Sequence, residues 1–105
     1  MNPIEVVSVT AALTETVVLI SGIPNQVRSY AAFNAGAAGV YLHFMDMATA
    51  AAGTILATVL VPAGGGANLS GLQWRFPTGI AIAASASASS VTAPANSIVV
   101  TVGRG

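Results

Sequence analysis

Apolar residues come along this chain in short runs, and most of them are β-branched. Gly, Pro, Asn and Ala cut the runs apart. Alternation with a period of two, carried by β-branched and aromatic residues, is a strand pattern; a helix would space its apolar residues at about 3.6. Residues 40–46 show it best. Val40, Leu42 and Phe44 fall on one face, and Tyr41, His43 and Met45 on the other. The same reasoning predicts strands over residues 4–10, 15–21, 27–34, 54–61, 69–76, 80–86 and 96–102. In the third of these in chain order, Val27, Ala31 and Phe33 share a face, opposite Arg28 and Tyr30. Residues 54–61 are apolar on both faces, so a central, covered strand is expected there. In residues 69–76, Leu72, Trp74 and Phe76 lie opposite Gln73 and Arg75.

Between these runs lie turn signals. Residues 22–25, 35–39 and 77–79 read as turns, and 62–67, with three consecutive glycines, reads as a loop. Residues 47–53 form an Ala/Thr connection in which 48–52 could close one helical turn. Residues 87–95 read as a polar loop. The tract over 83–90 alternates Ala and Ser, which suits either a close backbone contact between subunits or a plain loop. About eight short strands at such spacing predict an all-β fold, an antiparallel β-sandwich that is jelly-roll-like, as a single domain over 1–105. No period of about 20–50 residues argues for a solenoid.

Charge changes the picture. Of 105 residues only 6% are charged, and the formal net charge is zero; an ordinary soluble domain has about 25%. The six are Glu5, Glu15, Arg28, Asp46, Arg75 and Arg104, with no lysine among them. A monomer of this size exposes about 5,300 Å², or about 900 Å² for each charge. Protein interfaces are depleted in Lys, Asp and Glu at their centres, and near-zero net charge promotes association. The missing charges therefore read as interface, and a homo-oligomer is expected. Three scattered arginines make no basic stripe, so no nucleic acid is expected as a partner.

The mean hydropathy of +0.80 raises the question of a membrane. Residues 47–73 carry no charge and are long enough to span. Only Ile55, Leu56, Val59, Leu60 and Val61 are strongly apolar there, and Pro62 and three glycines follow. Their insertion energy sums to only about −1.5 to −3 kcal/mol, so no membrane span is expected. No basic stretch precedes an apolar one at the N-terminus, which points to synthesis in a cytoplasm.

Candidate chemistry is sparse. With no cysteine there is neither a disulfide framework nor a Cys-based zinc site. His43 is the only histidine, and Asp46, three residues on, falls on the opposite strand face. His43 is thus expected on an exposed or interfacial face, outside any catalytic pair. Gly64-Gly65-Gly66 lacks the Lys-Ser/Thr of a phosphate loop. Asn68-Leu69-Ser70 matches a glycosylation triplet without a secretory signal to support it. Trp74 reads as core. No catalytic, cofactor-binding or metal residue is nominated, and an enzyme is not expected.

Several segments in order carry a resemblance. They are Val27-Arg28-Ser29-Tyr30, the run from Gly39 through His43 to Asp46, Ala48-Thr49-Ala50, and Val59-Leu60-Val61-Pro62-Ala63-Gly64. Phe76-Pro77-Thr78-Gly79-Ile80-Ala81 and Asn96-Ser97-Ile98-Val99-Val100 complete the set. The order resembles small β-sandwich decoration, or cement, proteins of tailed-bacteriophage capsids. That resemblance implies a jelly-roll-like structural virion protein on the outer capsid surface, a homotrimer bound to the major capsid protein between capsomers. Two other readings stand beside it. One is a phage tail or head-fibre component. The other is a small carbohydrate-binding sandwich that stacks sugars on Trp74, Tyr30 or Tyr41.

Overall fold

Nine strands and no helix make up the computed structural model, which describes residues 5–105, with side-chain surroundings from Leu13 onward. They are β1 (Glu5–Leu13), β2 (Val18–Ser21), β3 (Asn25–Asn34), β4 (Val40–Asp46), β5 (Ile55–Val61), β6 (Gly65–Leu69), β7 (Trp74–Phe76), β8 (Ile80–Ser85) and β9 (Ile98–Arg104). Of the first expected strand, Ile4 lies outside the described residues.

All pairing is antiparallel. One sheet runs β1-β9-β3-β6, with β7 also on β3; the other runs β2-β8-β4-β5. β6 pairs with residues 30–34 of β3 and β7 with residues 25–27. The two short strands therefore fill one strand position, interrupted at 70–73, where Gly71 takes φ 71°. With that position counted once, the two sheets have the strand orders of an eight-position jelly roll, as expected from the sequence.

The core lies between the sheets. Val40, Leu42 and Phe44 of β4 face it, together with Ile80 and Ile82 of β8. Val27, Tyr30 and Ala32 of β3 and Ile98, Val100 and Val102 of β9 close it from the other side. Tyr30, Phe44, Trp74 and Phe76 form an aromatic cluster; Phe44 meets Trp74 edge-on at 5.5 Å and Phe76 at 6.5 Å. Such edge and tilted contacts suit the ring quadrupoles.

Five local expectations change. The strand expected over 69–76 is broken at 70–73, with Leu69 ending β6 and β7 confined to Trp74–Phe76. Residues 62–67 are not all loop, because β6 begins at Gly65. A Cβ on Gly66 would stand 2.8 Å from the Ala32 carbonyl oxygen, so only glycine lets β6 come this close to β3. In β3 the faces differ from strict alternation. A register shift between Val27 and Ser29 turns both Val27 and Tyr30 inward and leaves Ala31 and Phe33 outside. β5 is an edge strand, not a central one, and β8, buried along its whole length, takes the central place beside β4. Residues 48–51 form bends, and no helical turn closes over 48–52.

Candidate functional site

The outer face of the β2-β8-β4-β5 sheet is half covered by the chain itself. Met45, Ala81 and Ala83 form a second small cluster there, with Val17 and Val91 packed on it. His43 sits beside this cluster and is fully buried, which corrects the expectation of an exposed or interfacial histidine. Its Nε2 lies 2.8 Å from the Ser87 carbonyl oxygen and 3.1 Å from that of Ser90. Carbonyls only accept, so Nε2 carries the proton and donates; in the neutral ring Nδ1 then accepts from Thr58 Oγ1, at 2.9 Å. One imidazole thus ties β5, β4 and the serine segment together.

Ser85 completes the tie. Its hydroxyl donates to the Ser90 carbonyl at 2.6 Å and accepts from the backbone N–H groups of Ser87 and Thr92, each at 3.0 Å. The tract over 83–90 is therefore not a plain loop; it is strand up to Ser85 and then a pinned cover. Ser85→Ala removes three bonds to one oxygen. It is expected to cost about 1–3 kcal/mol and to speed amide exchange in residues 86–92 above all; unchanged exchange there would show that Ser85 does not hold the cover.

A second polar centre sits at the end of the sandwich. Asn34 is fully buried. Its amide donates to the carbonyls of Ala38 and Val61, at 2.7 and 3.1 Å. Its Oδ1 accepts from Gly36 N–H at 2.9 Å and from Asn96 Nδ2 at 2.7 Å, and Asn96 Oδ1 accepts from Ala38 N–H at 3.1 Å. All four hydrogen-bonding positions of Asn34 are used, and the 35–39 turn is fastened to the segment before β9.

Asp46 accepts from the backbone N–H groups of Thr78 and Gly79, at 2.7 and 3.3 Å, and so braces the 77–79 turn. Arg28 Nε donates to the Gly105 carbonyl at 3.2 Å. Among the described residues, no three His, Cys, Asp or Glu side chains gather as they would to hold a metal ion. Tyr30 is buried in the aromatic cluster, and that burial raises its phenol above the usual 10.0. Trp74 is half-buried and packs on Tyr30 and Phe44, and with Leu56, Ala57, Arg75 and Phe76 it also lines an open depression. An open depression beside the 77–79 turn is lined by Pro24, Asn25, Gln26, Arg75, Phe76 and Pro77 and holds no cluster of ionisable groups.

What remains is apolar surface. Phe33 and Val99 are cross-strand partners on the outer face of the β1-β9-β3-β6 sheet, 54% and 45% exposed. On β5, Leu56 and Leu60 are 48% and 52% exposed, with Thr58 also exposed between them. Leu19, Ile23 and Leu69 are exposed as well. The sequence reading put Phe33 on one face with Val27, which is buried, and β5 under cover. The signal that could have placed them outside was the missing charge, which called for apolar surface somewhere. Residues 47–73 fold into β5, in one sheet, and β6, in the other, and no helix among the described residues is long and apolar enough to cross a membrane. Compared with protein-family models, curated proteins and solved structures, the chain matches none.

Proposed function

We propose that this protein is a structural module that acts by association, with copies of itself and with a larger assembly, and carries out no chemistry of its own. The observation that carries this reading is the surface: among the described residues seven large apolar side chains stand exposed, on a chain with six charges. Burial of such surface yields about 25 cal/mol per Å², and no charge on β5 opposes it. The rigid polar ties at His43 and Asn34 support the reading too. They fix the sheet faces, so contacts need little reordering on binding.

The particular form proposed is a capsid decoration protein of a tailed bacteriophage, on the outer surface of the virion. The jelly roll and the segments that resemble that family support it. Repeated weak contacts to a lattice of major capsid protein would sum to firm attachment. Co-sedimentation with empty tailed-phage capsid shells tests this form. Binding that saturates at a fixed number of copies per capsomer is expected, and Phe33→Glu with Val99→Glu is expected to weaken it more than tenfold. No binding to shells at micromolar protein would overturn the capsid assignment.

A further inference from the structure

β5 closes one edge of the β2-β8-β4-β5 sheet, and among the described residues no strand pairs with its far side. Open edges are templates for another strand, and proteins guard them with charge, proline or a bulge. β5 has no charge, and residues 47–73 around it have none. Its one register shift falls between Ala57 and Ile55, so that Leu56 is the extra residue opposite β4, and Pro62 follows after its last residue. The Val61 carbonyl is already taken by Asn34.

The strand also reads nearly the same in both directions. About Thr58 the sequence runs Ile55-Leu56-Ala57-Thr58 one way and Val61-Leu60-Val59-Thr58 the other. Over 56–60 exposure follows the same symmetry: Leu56, Thr58 and Leu60 are exposed, and Ala57 and Val59 are half-buried; it ends there, since Ile55 packs on the cluster at Met45 and Val61 is buried in the main core. A twofold contact requires a self-complementary surface, in which each residue meets its symmetry counterpart. A palindromic edge strand provides one. The covering segment at Ser87 and Ser90 reaches His43 on β4, and His43 reaches Thr58.

We infer that β5 of one copy pairs antiparallel with β5 of a second copy, about a twofold axis at Thr58. Leu56 then faces Leu60 of the partner copy, Leu60 faces its Leu56, and the two Thr58 side chains meet on the axis. The two four-stranded sheets become one sheet of eight. Directly opposed side chains lie about 4.5–5.5 Å apart, so the four leucines form one apolar cluster. The inference rests on the proposed self-association and specifies it. A twofold contact joins copies in pairs, giving an even-numbered unit in place of the trimer implied by the resemblance.

Three proteins, studied by sedimentation equilibrium at micromolar concentration, test it. The unmodified chain is expected to give a dimer or a multiple of one. Leu56→Lys with Leu60→Lys places like charges opposite one another at both positions and is expected to weaken the dimer at least a hundredfold. Leu56→Lys with Leu60→Glu is expected to restore it to within tenfold, because each new charge then faces its opposite across the axis. Within one chain the two positions are about 13 Å apart, so the rescue arises only between copies. Circular dichroism and thermal unfolding of both variants establish that they remain folded. An unmodified monomer would overturn the self-association reading itself. An oligomer that the double lysine leaves intact would overturn the β5 contact alone, as would a folded Lys/Glu variant that stays monomeric.

Discussion

Replacing His43 with alanine is expected to lower stability by about 2–4 kcal/mol. For a domain of this size that lowers the unfolding temperature by more than about 10 °C. Two terms add. The ring fills fully buried space beside Met45, Ala81 and Ala83, and its loss leaves a cavity. Its Nε2 proton also serves the carbonyls of Ser87 and Ser90, which would be left to water or to nothing. His43→Phe separates the terms, since it restores volume but no donor. It is expected to recover about half of the loss in unfolding temperature. Residues 86–92 should become the first site of protease cleavage in both variants. A His43→Ala protein with unchanged melting and unchanged cleavage would show that the serine segment holds itself.

Asn34→Asp is the second large effect, and it arises with almost no change in shape. The Asn34 amide donates to two carbonyls, Ala38 and Val61. A carboxylate there turns two donors into an acceptor facing acceptors, in a site without access to water. A loss of about 3–5 kcal/mol is expected at neutral pH, measured by urea unfolding. Since domains have only about 5–15 kcal/mol in hand, that is a large share of the total stability. A stability within about 1 kcal/mol of the parent would mean that the Asn34–Asn96 pair is not a fastening point.

Local pattern carried much of the fold. β4 was legible to the residue, because both of its faces are occupied and alternation is unbroken over 40–46. The jelly-roll class followed from strand number and spacing. Features set by distant parts of the chain were not legible. His43 falls on the face that strict alternation assigns to solvent, and what covers it lies 44 and 47 residues further on. The β3 register shift moved Tyr30 into the core and Phe33 out of it, and no residue in 27–30 announces a bulge. β6 was hidden because its glycines read as turn, whereas Gly66 is there for close approach to Ala32. β5 looked central because two apolar faces are the mark of a covered strand. In this chain the same composition lies on an edge, where a second molecule can supply the cover.

The same shortage of charge that shaped the sequence reading shapes the surface. A total accessible area of 5225 Å² has six charges in the whole chain to hydrate it. Exposed apolar residues singly are ordinary. Here they lie in register, as Phe33 with Val99 across two strands and as Leu56, Thr58 and Leu60 along one. Ordered apolar rows on rigid sheets are what a repeated contact requires.

The most direct test is the absolute mass of the purified native protein, by light scattering after size exclusion at micromolar concentration. A discrete species at twice 10.3 kDa, or at a multiple of that dimer, is expected. A clean monomer at that concentration would contradict self-association, because the uncharged edges would then face water on their own.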